Sequence, residues 1–495
     1  LTTPIPANRA PFTPAEAARA SAGRLVEVDA HSGLVGVSTD SRTAPAGGLF
    51  VALRGETHDG HRFVAAARER GALPLVAADA GIEGPRIEVA DTLTALGGLA
   101  RVHVDRVFAA GGRRPVLAIG GAAGKTTTKT LAAAAVGALF GETLVTPGNL
   151  NNRIGVPMTL LTLEPRHRAL VVECGTSVPG EIAALGRIAR PDVGLVTNVG
   201  LEHTERLGGL EQIADEEAAL LLAASAVAIT NGDEPLLVAR LAAASAPIRL
   251  TFGSGRVADL RLASRTVDAG GASMLRLQAG ARLMDAGAES SDADPGAPVE
   301  PGATVAVTTW LLGRASALNL AAALAGALAL LGRPATRAQA EAAAAALAAV
   351  EAVPGRLRPL ELRGVFVIDD TYNSNPKSVP VALEAAAEIA LRRRARLVVA
   401  LGDMLELGGL SGLAHDEMVR AAGASGAERL VLVGPESSAA ATRARPATTP
   451  RLFPDSAAAA AEIAGMVGPG DVLLVKGSRG TRMERLLEAL GSPGE

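Results

Sequence analysis

The sequence predicts an α/β fold divided among three domains, and three observations predict it. At 495 residues the chain exceeds what one hydrophobic core usually serves. From about Pro115 short β-branched runs alternate with long Ala/Leu-rich helical patterns, as a parallel sheet wrapped by helices requires. Near Pro354 a second series of the same kind begins. The expected units are residues 1–90, a small α/β domain; 91–352, a central domain on a parallel sheet; and 353–495, a Rossmann-like domain.

The first unit centres on VSTDSRTAPAGGLFVALRGETHDGHRF, beginning at Val37. In the central unit strands are expected at Val116–Ile119, Ala169–Glu173, Val193–Thr197 and Ala226–Thr230. Their carboxyl ends carry a glycine loop, Glu173, the polar stretch Asn198 to His203, and Asn231 with Asp233. In open α/β sheets, ligands bind beyond those ends. The most apolar stretch, Ala315 to Leu331, is interrupted by Ser316 and Asn319 and falls short of the ~20 residues a membrane span needs, so a buried helix is expected. SSDADPGAPVEPG, Ser290 to Gly302, reads as a surface loop. In the third unit strands are expected at Val365–Ile368, Leu397–Leu401, Leu430–Val433 and Val472–Val475, ending in Asp369 and Asp370, Gly402-Asp403, Gly434, and Lys476-Gly477. No GxGxxG follows the first of them, so a dinucleotide site is not supported.

Composition narrows the function. A net charge of −3 and an aromatic content of 2% provide neither a general field for nucleic acid nor stacking surface for bases. The amino terminus has no basic region followed by an apolar core, so no secretory signal is expected. The one cysteine, Cys174, cannot form an internal disulfide, which fits a reducing cytoplasm. A cytoplasmic, non-spanning monomer is expected.

GGAAGKTTTKT, from Gly120 to Thr130, lies between an expected strand and an expected helix. Within it Gly121-Ala122-Ala123-Gly124-Lys125-Thr126 has the context of a phosphate loop, though two residues shorter than GxxxxGK[ST]. Backbone N–H groups at such a helix start cradle phosphates, the lysine reaches the terminal ones, and the hydroxyl holds Mg²⁺. The plainer reading is a glycine turn with a surface lysine. Glu173 closes an apolar strand, either as a solvated end or as an oxygen ligand for Mg²⁺ at the adjacent loop. His203 follows the next strand, where a lone histidine is either structural or functional. Leu210, Ile213, Ala214, Glu217 and Leu221 share one helical stripe, so Glu217 faces inward while Glu216 turns aside. A buried carboxylate needs a partner or goes neutral.

Together these motifs resemble the Mur ligases, ATP-dependent amide-forming enzymes of peptidoglycan precursor synthesis. The resemblance runs from about Val37 to Leu490. TPGNLNNRIGVPMTLL from Thr146, DDTYNSNPKS from Asp369, LGDMLELG from Leu401 and VKGSRGTRME from Val475 are most similar to the MurF type, which adds D-alanyl-D-alanine to UDP-N-acetylmuramoyl-tripeptide. The DNPR-type signature of the sister ligase for a diamino acid is absent. The resemblance implies that ATP sits in the cradle, with Mg²⁺, and that its γ-phosphate activates a peptide carboxylate for attack by the dipeptide amine.

Residue by residue, it implies nucleotide contacts from the loop Gly121 to Thr126 and from Thr127, with Lys125 on the β- and γ-phosphates. Thr126 and Glu173 would hold one Mg²⁺, and His203 a second. Asn319 would contact adenine, Arg356 the γ-phosphate after domain closure, and Asp370 the ribose. Ser41 and Arg42 match the segment for the UDP end; Asn149, Asn151 and Asn152 match a cleft-lining motif; Tyr372 and Asn375 lie beside the reacting groups. Three departures stand out. Ala122 and Ala123 replace hydroxyl or amide residues of the loop, GRASALN lacks the usual His-Asn pair, and Glu217 stands where the family commonly carries a lysine modified to a carbamate. Glu217 is therefore expected to supply its carboxylate to the second Mg²⁺. A P-loop kinase or ATPase without ligation, a degenerate homologue serving as a binding protein, and another ligase of the superfamily are the alternatives.

Overall fold

A computed structural model describes residues 3–55, 58–268, 271–285 and 303–491. The loop expected at Ser290 to Gly302 lies outside the described residues. Near the amino terminus five strands form one sheet in the order Arg24–Val26, Arg86–Val89, Leu73–Ala77, Leu49–Val51, Val37–Ser38. The helix Thr92–Gly111 follows, capped by the Asp91 carboxylate, which accepts the Thr94 N–H at 2.7 Å. Its apolar side packs against Gly155–Leu160 and Glu181–Ala189, so one core runs from the first sheet into the second.

The central sheet has nine strands, in the order Thr304–Thr309, Ser273–Ala279, Leu260–Val267, Ile248–Gly253, Val227–Asn231, Val193–Val196, Val116–Gly120, Ala169–Glu173, Thr143–Val145. The four expected strands are present, each displaced by at most one residue at either end. Their flanks were not anticipated. Ser273–Ala279 and Thr304–Thr309 extend the sheet antiparallel, and their buried and exposed residues alternate. A strand wet on one face carries threonines and arginines that hide it beside the apolar runs. The stretch predicted as a buried helix is one, Gly313–Ala329, apolar and covered nearly all round. Gly326 lets it approach Leu117 and Leu195 closely, since a Cβ there would lie 3.0 Å from Leu117. No described helix is long and apolar enough to cross a membrane.

The third sheet runs Arg358–Leu362, Val365–Asp370, Val472–Lys476, Leu397–Gly402, Arg429–Val433, Arg451–Phe453, parallel except at its first edge. Its last long strand in sequence lies between the first two parallel ones, so the ends at Asp370, Lys476 and Gly402 are neighbours. Lys377 holds this unit to the central one, donating to the Val199 carbonyl at 2.6 Å and pairing with Glu234. Arg265 and Glu388 add a two-pronged pair at 2.9 and 2.8 Å.

Candidate active site

The phosphate loop is shaped by two glycines in the left-handed region, Gly121 at φ 118° and Gly124 at φ 81°. A Cβ on the first would strike Thr197, and one on the second would strike Asn319. The next strand end clamps the turn between them. Asn198 accepts the Ala123 N–H at 2.9 Å and donates to the Ala123 carbonyl at 2.8 Å, while Thr197 donates to that carbonyl at 2.8 Å. These contacts make good a loop two residues shorter than usual. The helix Lys125–Phe140 then starts at its mouth.

Lys125 folds back over the loop, its Nζ 2.5 Å from the Gly121 carbonyl and 3.4 Å from Glu202. Burial opposes its charge, but Glu202, Glu217 and Glu173 outweigh it and hold the ammonium above the ordinary lysine value. Burial pushes the Glu202 carboxyl up in spite of Lys125 and His203.

Glu173, 1% exposed, is a junction. Its Oε1 accepts from the Thr126 hydroxyl at 3.1 Å and from Asn151 Nδ2 at 2.8 Å; its Oε2 lies 3.1 Å from Lys129 Nζ. Lys129 sits one helical turn after Lys125 and also donates to the Gly148 carbonyl at 2.6 Å. The carboxylate thus ties the phosphate-loop helix to the TPGNLNN loop.

Glu217 is fully buried, as the stripe predicts, although Leu210 at the start of that stripe is 39% exposed. Leu210 occupies the first turn; the covered face begins at Ile213. Glu216 turns aside and caps the helix Glu181–Ala189, accepting from Gly180 and Ile182 N–H groups at 2.7 and 2.8 Å. The Glu217 Oε2 accepts the Gly121 N–H at 2.6 Å from behind the loop, and its Oε1 has no hydrogen-bond partner. Burial pushes this carboxyl up to about 7, against the pull of Lys125.

Two cavities meet at the loop. One is lined by Thr127, Phe252, Asn319, Arg356 and Asp370, the other by Lys125, Thr126, Glu173, His203, Arg356 and the three asparagines 149, 151 and 152. Both touch Ala122, Ala123, Gly124, Tyr372 and Asn375. Lys125 and Arg356, from different sheets, therefore face one space. Arg356 lies over the Tyr372 ring, 4.2 Å from its centroid.

Several of these side chains also hold local structure. Asp370 pairs with the buried Lys476 at 2.7 Å, Asn152 and Asn375 accept N–H groups at helix starts, and Asn149 accepts from Thr3 at 2.8 Å. His203 Nδ1 is 2.7 Å from Glu406 of the third unit. Ser41, Arg42 and Glu217 line neither cavity; Arg42 is exposed and paired with Asp40 at 2.7 Å. Among the described residues no three His, Cys, Asp or Glu side chains converge as a metal centre. The Thr126 hydroxyl beside the Glu173 carboxylate is the oxygen set that Mg²⁺ uses, with few protein ligands.

Sequence models of known families match the chain in three places: the Mur ligase family, catalytic domain at residues 34–103, the Mur ligase middle domain at 119–327, and the Mur ligase, glutamate ligase domain at 355–479. Over 464 residues the chain is 34% identical to the UDP-N-acetylmuramoyl-tripeptide–D-alanyl-D-alanine ligase of Escherichia coli (strain K12), spanning 92% of this chain and 94% of that protein. The chain belongs to the Mur ligase family.

The Bacillus subtilis (strain 168) ligase of the same name is 30% identical over 92% of this chain and 93% of its own length. Among solved structures, a crystal structure of MurF from Acinetobacter baumannii superposes with a TM-score of 0.83 at 29% identity, covering 98% of this chain and 99% of that one. The MurF ligase from Thermotoga maritima in complex with ADP gives 0.76 at 26% identity, covering 92% and 96%. The fold of this Mur ligase is that of these solved relatives. Its lone thiol, Cys174, is buried behind the loop, where burial pushes its pKa up and removes it from the chemistry.

Proposed function

We propose that this Mur ligase joins D-alanyl-D-alanine to UDP-N-acetylmuramoyl-tripeptide with ATP, in the cytoplasm and as a monomer. The observation that carries the reading is the pair of cavities meeting at one phosphate loop, walled by both the central and the third units. A nucleotide in the first presents its γ-phosphate to the second. The tripeptide carboxylate oxygen takes up that phosphoryl group, ADP departs, the dipeptide amine attacks the acyl carbon, and phosphate leaves as the amide forms. Catalysis here is positioning and charge neutralisation.

In this reading residues 1–90 hold the UDP end through Ser41 and Arg42, 91–352 bind ATP, and 353–495 close over the reacting groups. Lys125 and Arg356 neutralise the transferring phosphoryl group, Asn319 faces adenine, and Asp370 faces the ribose while paired to Lys476. Thr126 with Glu173 would hold one Mg²⁺ and His203 a second, to which the unpartnered Glu217 Oε1 would contribute from behind the loop and not from the cavity wall. Mg²⁺ would supply charge neutralisation at the phosphates. Asn149, Asn151 and Asn152 line the path of the peptide, with Tyr372 and Asn375 opposite.

The test is ADP release by the full chain with ATP, Mg²⁺ and UDP-N-acetylmuramoyl-tripeptide, with and without D-alanyl-D-alanine, with product masses read in parallel. Turnover that requires the dipeptide and gives the pentapeptide mass is expected; ADP release indifferent to the dipeptide moves the reading to a plain ATPase. Glu217→Gln with full activity and unchanged Mg²⁺ dependence would remove Glu217 from the metal set.

A further inference from the structure

The nucleotide cavity has a seam where the third unit meets the central one, and an ion pair closes it: Lys377 and Glu234 both line that cavity. Glu234 precedes the helix Pro235–Leu241 but makes no side-chain bond to its start. Its carboxylate turns to the third unit instead. The lysine stem crosses Gly200, where a Cβ would lie 2.9 Å from the lysine Cδ, so bare backbone gives it room. Its Nζ also donates to the Val199 carbonyl at 2.6 Å. Val199 follows Asn198, whose side chain clamps Ala123 and whose carbonyl accepts the Ala122 N–H at 3.0 Å. Lys377 therefore reaches the residue next to the clamp on the phosphate loop.

The chain behind the lysine is fixed. Asn375 and Ser378 bracket it, the Asn375 N–H donating to the Ser378 hydroxyl at 3.1 Å and the Ser378 N–H to Asn375 Oδ1 at 2.8 Å. Three residues before Asn375, Tyr372 donates its N–H to the Gly355 carbonyl at 3.0 Å and carries the Arg356 guanidinium over its ring. A short run of bonds thus connects Arg356 to the loop that cradles phosphate. A second pair between the same units, Arg265 with Glu388, holds the same helix, Ser378–Arg393, about three turns further on, and lines neither cavity.

We propose that Lys377 is a positioning residue for phosphoryl transfer: by binding Val199 and Glu234 it sets Arg356 against the phosphate loop, whereas Arg265 with Glu388 only joins the units. The assignment rests on the ligase reading above. Lys377 acts in it through Arg356 and not on the nucleotide.

The experiment measures kcat, and KM for ATP and for the tripeptide, in the unaltered chain, Lys377→Met, Lys377→Arg, Glu234→Gln, the Lys377→Met/Glu234→Gln double and Arg265→Met. Lys377→Met keeps a stem over Gly200 and is expected to lower kcat roughly 10- to 100-fold, the cost of a displacement of about 1 Å at a reacting group, with both KM values unchanged. Glu234→Gln should do so in part, and the double should be no slower than Lys377→Met alone, because the two side chains act as a unit. Lys377→Arg should recover part of the rate, which a folding defect would not. Arg265→Met should lower Tm and leave kcat in place. If Lys377→Met raises the KM for ATP and keeps kcat, the lysine is a nucleotide contact; if Arg265→Met slows turnover as much as Lys377→Met, both pairs serve docking alone. Either result overturns the assignment and leaves the ligase reading standing. Absence of any ligation by the unaltered chain overturns both.

Discussion

The front and the back of the phosphate loop each hold a buried glutamate, and the two are built in opposite ways. In front, Glu173 accepts from Thr126 and Asn151 on one oxygen, and its other oxygen, without a hydrogen bond, pairs with the Lys129 charge at 3.1 Å. Behind, Glu217 meets one backbone N–H and keeps an oxygen unpartnered. Both are 1% exposed or less. Burial is alike for the two; their partners differ. The front is a closed ion pair that fixes the cleft wall, and the back is a carboxyl whose proton is held up to about 7.

The largest expected effect breaks the front. Glu173→Ala leaves Lys129 buried without its counter-ion, at about 3–5 kcal/mol of stability. Adding Lys129→Met should return most of it, since the stranded charge goes too. Thermal unfolding of the two singles and the double measures the coupling; additive losses would mean that the pair does not act as a unit.

The back is sharpened by pH. The Glu217 pKa rises from 4.5 to about 7 on folding. The folded state therefore holds this proton more tightly, and the associated stability is complete below about pH 4.5 and lost as pH rises through 7. The difference is about 3 kcal/mol. Glu217→Gln keeps an oxygen for Gly121 and has nothing to ionise, so in Mg²⁺-free buffer its Tm should gain on the parent between pH 5 and 8. A constant offset across that range would contradict the contrast.

The smallest effect lies between them, in the turn itself. Asn198→Ala removes both side-chain bonds to Ala123, about 1–3 kcal/mol, and should raise the KM for ATP several-fold with little change in fold by circular dichroism. An unchanged KM would mean that the glycines alone set the loop.

The same contrast explains what was legible. Glu217 was visible because helical spacing shows which face is covered, although the first turn misled at Leu210. Lys129 and Glu202 were not visible as site residues. Their neighbours Lys125 and His203 marked the places, but only packing shows that Lys129 turns to Glu173 and Glu202 to Lys125. Asp370 stood at a strand end as expected, and its partner Lys476 comes from a strand 106 residues later. The antiparallel strands past Ile248–Gly253 escaped because their exposed faces are polar.

The sequence by itself determined the α/β class, the four central strands and four of the third unit, the glycine loop and the burial of Glu217. Those features depend on spacing and on backbone preferences within one segment. Only the tertiary structure decided which distant side chains share a charge, that Tyr372 carries two arginines, and that loops from two sheets enclose one space. Such contacts depend on strand order and domain placement, which local periodicity does not encode.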